Sequence, residues 1–576
     1  MNINAGSYFS DLPEAKIERS VWQMPSGNMT TFDAGKLVPF YVSEVLPGDT
    51  WKMHDSFVVR TMTPIVPVMD NSILDIYYFF VPNRLVWDHW VNFMGQNDTS
   101  PWVQKIEYSV PQTYFPAGDG WHIGTVADYM GIPTGVGSPT GNKIGVSSLP
   151  FRAYVKIWND WFRDQNVMDP AYLQTGDDDV EGSNFSDVYP LHTAVKGGSL
   201  LPVSKTHDYF TSALPSPQKG EPIAIPLTGS VPIVTGADHL DNLGNVSTNI
   251  YGAGVPTSQG YGVSLMALQM EGYGHPDYIE GLGTGALRDD TNGEPASHLG
   301  GFNFSNLWAD MSDVGAVTIN ALRTAFQLQR LLEKDARGGS RYIELLQSHF
   351  GVVSPDGRLQ RSELLGARRV PINVDQVLQS ASAKNPASET LDPIGTTGAY
   401  SITSSVDSTF TKSFTEHGFI IGVMCARVAN HKYQYGLEKF WNRRDRFDYY
   451  WPSLAHIGEQ PILNSEIYFD PNSEDFDGVF GYQEAWADYR YKPSKVTGHF
   501  RSSSSQSLDY WHYGDRYNSI PVLSEDFISE TPAGIGRSLY YYEPGVNQMF
   551  FADMQFNPTV ARPMPLYSVP GLIDHF

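Results

Sequence analysis

Asp177-x-Asp179-x-Glu181-Gly182 reproduces the first half of a calcium loop, in which alternating oxygens converge on one ion. The bidentate glutamate that completes such a loop belongs at the twelfth position, where Val188 stands. Asp177, Asp179 and Glu181 are therefore an incomplete calcium candidate, and a solvated acidic turn is the expected state. Gly281-Leu-Gly-Thr-Gly-Ala286 matches the dinucleotide fingerprint G-x-G-x-x-A, but no strand pattern leads into it and no helix pattern leaves it, so the phosphate-cradling turn is not expected. Glu484 and Asp488, four apart in the helical-looking QEAWADYR, could share a face as general acid and base. Arg490 and Lys492 offer them ordinary ion pairing instead. Cys425 is the single cysteine and lies in the apolar run from Phe419 to Ala426, which excludes an intrachain disulfide and favours a core thiol over a nucleophile. No catalytic set, cofactor site or complete metal site is expected.

The run from Arg427 to Arg446, RVANHKYQYGLEKFWNRRDR, is different. Six cations stand against Glu438 and Asp445, interleaved with Tyr433, Tyr435, Phe440 and Trp441. Cations attract phosphates and flat rings stack on bases, so Lys432, Lys439, Trp441, Arg443, Arg444 and Arg446 are candidate contacts to unpaired nucleic acid. The same composition also suits a subunit interface, where Arg, Tyr and Trp are enriched. Both readings stand at this point.

The elements that must position these residues are mostly strands. Phe57–Met62 and Ile73–Phe80 are β-branched and aromatic, with Asp70-Asn71-Ser72 as turn residues between them. Pro64 and Pro67 require a bend or a sheet edge there. After Pro82, Asn83 can cap a helix carrying Trp87, Trp90, Val91 and Met94, with Gly95 as its stop. Ser148 and Pro150 open a second helix with Phe151, Tyr154, Val155, Trp158, Trp161 and Phe162 on one face. A third runs from Val314 to Ala336 with Ile319, Leu322, Phe326, Ala321, Ala325, Leu328 and Leu332 inward, and a fourth from Tyr342 to His349. Strand-like runs return at Val370–Val374, Phe419–Val428, Ile462–Phe469, Leu539–Tyr542 and Met549–Met554. Pairing these with strands near residue 60 joins both ends of the chain in one sheet system.

The 576 residues carry 39 basic and 63 acidic side chains, a net charge of −24, which excludes a diffuse nucleic-acid coat and confines any such contact to a local patch. Between residues 176 and 300 there are 19 glycines, and 15 acidic side chains against four basic. Apolar positions such as Ile223, Ile225, Val231, Ile233 and Val234 persist among the prolines, so this block reads as an exposed, ordered insertion of turns and short strands. No apolar run reaches the roughly 20 residues that a membrane helix needs.

Long segments carry a resemblance. FFVPNRLVWDHW (79–90), residues 322–366, 440–468 and 481–501, and the terminal PGLIDHF (570–576) resemble, in order, the corresponding stretches of major capsid proteins of the Microviridae, especially the gokushoviruses. The resemblance implies a mainly β fold: an eight-stranded jelly-roll barrel with long loop insertions and several helices. Its division would be an arm over 1–50, a first part of the core over 51–175, a surface insertion near the threefold axes over 176–300, a helical connection over 301–366 and the second part of the core over 367–576. It implies a non-enzymatic subunit that self-assembles, in the bacterial host cytoplasm, into an icosahedral shell around circular single-stranded DNA. The partners implied are copies of itself, a small basic DNA-packaging protein, internal scaffolding and pilot proteins, and a host cell-surface receptor, without membrane insertion. A carbohydrate-binding or carbohydrate-active all-β protein is the alternative that composition alone leaves open.

Overall fold

The computed structural model describes residues 18–96, 107–137, 143–185, 190–220, 360–381 and 394–567 continuously; between 221 and 359 it describes short strands, the helix Ile319–Gly338 and one helical turn at 348–350. The chain divides into two units, Met1–Lys219 with Glu333–Phe576, and Gly220–Leu332.

The first unit rests on ten strands: β1 (Ser20–Gln23), β2 (Ser26–Phe32), β3 (Val38–Val45), β4 (Thr50–Thr61), β5 (Ser72–Pro82), β6 (Glu363–Ile372), β7 (Thr403–Ser413), β8 (Gly418–Val428), β9 (Phe550–Phe556) and β10 (Thr559–Arg562). β4 is the spine of the first sheet. One edge pairs with β7 from Val59↔Thr403 to Thr50↔Ser413. The other edge takes β9 and then β10 end to end, and these pair in turn with β2 and β1. Pro25 and Pro558 fall at the breaks in these two lines, where a missing ladder N–H does no harm. The second sheet has the order β6-β5-β8-β3, antiparallel throughout.

The sheets face each other across an aromatic core. Phe40 of β3 meets Phe57 of β4 and Phe556 of β9 with ring centroids at 5.3 and 5.7 Å, and Tyr78 of β5 meets Phe40 at 5.4 Å. Complete burial of a Phe side chain is worth about 1.5–3 kcal/mol, so this cluster alone is a large share of the cohesion between sheets. No closed barrel is found among the described residues. Where β6 and β7 come together both strands bulge, and the Thr409 carbonyl lies 2.7 Å from the position a Cβ would take on Gly366, a close approach without ladder pairing. β4 and β9 alternate buried and exposed residues, as one-sided strands should. β5 is buried on both faces except at Tyr77, because α1 (Leu149–Ile157) and the turn after it cover its outer side; Phe162 packs on Tyr77 at 5.4 Å and Trp161 on Phe79 at 5.6 Å. Tyr154 ties α1 down by donating to the Leu37 carbonyl at 2.7 Å and accepting the Leu201 N–H at 3.0 Å.

Several local expectations are corrected by tertiary contacts. The helix expected after Asn83 is a single 3-10 turn, Asn83–Leu85, and one α turn, Trp90–Phe93, and the Asn83 side chain caps neither. Buried Trp87 donates its indole N–H to Asp177 at 2.7 Å, which fixes the chain between these turns. Gly95 ends the second turn at φ +107°. Ser148 does not cap α1; its hydroxyl bonds Thr113 at 2.7 Å, and past Ile157 the helix widens into the π-helical turn Trp158–Phe162. That turn aims the Trp158 and Trp161 indoles at the carbonyls of Pro202 (2.6 Å) and Ser362 (3.0 Å). The expected strand 462–469 splits into Glu459–Leu463 and the helical turn Asn464–Ile467, and 539–542 holds only a bridge from Leu539 to Pro64. QEAWADYR is no helix: Glu484 ends a strand, Trp486 takes φ +66°, and a 3-10 turn follows at Ala487–Tyr489. Of the expected fourth helix, residues up to 347 lie outside the described residues, as does Gly281–Ala286.

The third helix runs from Ile319 to Gly338, and Leu322, Phe326 and Leu328, expected inward, are 37, 63 and 48 % exposed. Composition changes at Gly176, yet Leu201, Val203 and Phe210 are packed in the core of the first unit, and the division between units falls at Gly220. Within Gly220–Leu332, Leu307–Ala309 pairs with Ile233–Thr235, and Gln269–Gly272 with His275–Glu280. The first fifty residues, expected as an arm, supply β1, β2 and β3.

Candidate nucleic-acid interface

The basic run divides in two near Gly436. Its first part continues from β8 and is spent on internal partners. Arg427, on the outer side of the second sheet, donates through Nε to Asp75 on β5 at 3.1 Å and through Nη1 to the Ser204 carbonyl at 3.1 Å; Arg369 of β6 takes the same carboxylate from the other side at 2.7 and 3.1 Å. Asp75 is 1 % exposed, and two arginines compensate its buried charge. His431 lies between Asp515 (3.3 Å) and Glu530 (3.2 Å), and Lys205 reaches Asp515 at 3.0 Å. Burial pulls the imidazole pKa down, but the two carboxylates outweigh it and hold it up at about 9. Burial likewise raises Asp515, yet Lys205 and His431 win and keep it well below the usual carboxylate range. Lys432 pairs with Asp70, and Tyr433 donates to Asp208 at 2.6 Å.

The second part leaves regular structure. Lys439–Asn442 and Arg446–Asp448 are single 3-10 turns, and Asp448 holds the bend between them by accepting the N–H groups of Arg444 (2.7 Å) and Asp445 (2.8 Å). Trp441 is 67 % exposed, with Phe440 beside it at 4.8 Å. Arg446 lies over the Trp451 ring at 4.9 Å with its guanidinium at the surface, and Arg444 is exposed. Among the described residues neither arginine makes an ion pair. Arg443 differs: it is paired to Asp488 and stacked on Tyr489 at 4.2 Å, an internal brace. Lys439 donates to the Pro461 carbonyl at 3.0 Å.

Of the six candidate contacts, Lys432 and Arg443 are thus tied to carboxylates, while Lys439, Trp441, Arg444 and Arg446 share one exposed stretch. Sequence reasoning stopped too soon: Phe447, Tyr449, Tyr450 and Trp451 are also 41–70 % exposed and extend the same surface. The signal is present in the sequence Phe447-Asp448-Tyr449-Tyr450-Trp451, four aromatics in the five residues after Arg446. Loose patches of exposed rings on a soluble surface mark contact sites.

The acidic triplet does not converge. Asp177 accepts from Trp87 at 2.7 Å and meets His89 at 2.9 Å, Asp179 accepts the Gln112 N–H at 2.7 Å and the Tyr114 hydroxyl at 2.8 Å, and Glu181 pairs with Lys143. Among the described residues no three His, Cys, Asp or Glu side chains are grouped to hold a metal ion. Cys425 is fully buried in β8, where burial pushes its pKa up to about 12. Glu484 is paired with Arg490.

The first unit is thus mainly β, two antiparallel sheets with helical turns laid over one of them, and it presents an exposed charged and aromatic stretch. The comparisons name the kind: residues 10–572 match the phage family described as "Capsid protein (F protein)", and the chain belongs to that family. It is similar to the capsid protein VP1 of Spiroplasma virus 4 (39 % identical, over 98 % of this chain and 97 % of the relative), of Bdellovibrio phage phiMH2K (38 %, 99 % and 98 %) and of Chlamydia phage 1 (38 %, 98 % and 97 %). The resemblance to microvirus capsid proteins seen in the sequence is borne out, and the chain is a virion structural protein. Among the described residues no helix is long and apolar enough to cross a membrane.

Proposed function

We propose that this chain is the major subunit of an icosahedral shell that closes around circular single-stranded DNA, and that Lys439, Trp441, Arg444 and Arg446 face the packaged strand. Its two sheets would be the halves of a jelly roll, with β1/β2 and β9/β10 each counting as one interrupted strand. The observation that carries the DNA contact is the pair of surface arginines, Arg444 and Arg446, that make no ion pair among the described residues and stand beside exposed Trp441 and Trp451 in a chain of net charge −24. At physiological salt screening leaves about 8 Å of reach, so attraction to phosphates has to come from such a local patch. Copies of the chain, a small basic packaging protein and internal scaffolding and pilot proteins would complete assembly in the host cytoplasm. The acidic insertion would face the host receptor.

Changing Arg444 and Arg446 together to Gln tests the assignment. Empty shells should form in unchanged yield while filled particles lose DNA, and the salt dependence of retention should become shallower by about 1.4 in log–log slope, from two fewer phosphate contacts at roughly 0.7 each. If empty shells vanish as well, the arginines belong to a subunit contact and the assignment fails.

A further inference from the structure

Beside the basic stretch the first unit holds a cavity of about 200 Å³ that no expectation from sequence included. Its buried lining is Tyr209, Phe210 and Glu466, Asp488 is half-buried beside them, and its exposed lining includes Phe440, Tyr491 and Lys492. We propose that it receives a single unpaired nucleobase of the bound strand and favours bases that carry an exocyclic amino group. This rests on the nucleic-acid reading above and deepens it.

Size argues for one base. Sites for drug-sized ligands span about 300–1,000 Å³, and this cavity is smaller. Phe440 and Tyr491, 45 and 56 % exposed, offer faces for stacking at the entrance. The interior offers acceptors. Glu466 Oε1 already takes the Leu463 N–H at 3.0 Å and Oε2 the Tyr209 hydroxyl at 3.0 Å, so the carboxylate is held in place and each oxygen keeps a second lone pair. Asp488 is fixed in the same way by Arg443. Cytosine, adenine and guanine present exocyclic amino donors to such oxygens, whereas thymine carries carbonyl oxygens at its exocyclic positions and keeps the N3–H as its single donor, so fewer carboxylate lone pairs are satisfied. Cations line the cavity, as a phosphate-bearing ligand needs and a neutral sugar does not: Lys439 donates to the Pro461 carbonyl and lies within electrostatic reach of Glu466, and Lys492 is exposed and makes no ion pair among the described residues.

The test uses the full chain and dye-labelled deoxycytidine and thymidine homopolymers of equal length, with affinity read by fluorescence anisotropy at fixed salt. The cytidine strand should bind about tenfold more tightly. Glu466→Gln should bring the two strands to parity while thymidine binding stays within about twofold, as the phosphate contacts are untouched. Because Glu466 is buried, the surface variant Phe440→Ala provides a second arm that leaves the interior intact, and it too should erase the preference. Equal binding of both strands by the unaltered chain, with both weakened by Arg444→Gln and Arg446→Gln, overturns the base pocket and leaves the nucleic-acid reading standing. Binding of neither strand overturns both. Displacement of the cytidine strand by a neutral disaccharide would assign the cavity to carbohydrate and overturn the proposal.

Discussion

Arg427 and Arg446 bound the same basic run, but Arg427 is locked to Asp75 inside the first unit while Arg446 lies over Trp451 at the surface. Around Arg427 the charges are dense and matched: Asp75 has two arginines, and His431 two carboxylates, one of which Lys205 shares. Around Arg446 the rings are exposed and the cations outnumber the acids. The difference shows that residue type does not assign a charge its task. Where a counter-ion is buried within reach, the cation becomes part of the fold; where none is, its field remains available to a ligand.

The buried side of this comparison should break hardest. Arg427→Met leaves Asp75 buried with half its compensation, and the denaturant midpoint should fall by the equivalent of about 3–5 kcal/mol. A loss below about 1 kcal/mol would mean that Arg369 alone suffices and that the matched layer is redundant. Next comes pH. His431 is held at about 9 in the folded state against an ordinary 6.5, so its contribution is complete below pH 6.5 and is lost as pH rises through 9. Thermal stability should therefore decline over that window by up to about 3 kcal/mol, and His431→Gln should flatten the decline. An equally steep decline in the variant would place the titration elsewhere.

On the exposed side stability should hardly respond. Trp441→Ala should change folding by no more than about 0.5 kcal/mol while weakening single-strand binding by roughly 1–3 kcal/mol per stacked base. A large loss of stability would move this ring from the ligand surface to the fold. The smallest effect is expected from chelation: Asp177, Asp179 and Glu181 each have protein partners, so the melting temperature of assembled shells should be the same with and without chelator. A sharp drop that Asp179→Asn abolishes would establish an ion there after all.

The ladders were legible because their signals are local. Ile73–Phe80 and Phe419–Val428 are apolar except for Asp75 and Arg427, and a short run of that kind reads as a strand covered on both faces, which β5 and β8 are. The aromatic enrichment that marked Arg427–Arg446 is local too, and so is the long resemblance to microvirus capsid proteins. Helix beginnings and ends were less legible. Asn83 and Ser148 are good cap residues, but Asn83 caps neither turn that follows it and the Ser148 hydroxyl is hydrogen-bonded to that of Thr113. Trp87 and Trp161 carry helical spacing, yet each indole N–H finds a partner far along the chain, at Asp177 and at Ser362.

By itself, then, the sequence determined a mainly β class of fold, strands β5, β8 and β9 with part of β4, the family and the existence of a basic aromatic segment, because hydrophobic period and composition act over neighbouring residues. Only the tertiary structure decided which cations in that segment are consumed and which are left over. Asp75, Asp70 and Asp488 reach Arg427, Lys432 and Arg443 from distant parts of the chain, and whether two opposite charges share a buried site depends on strand register and sheet packing, which no spacing in the sequence encodes.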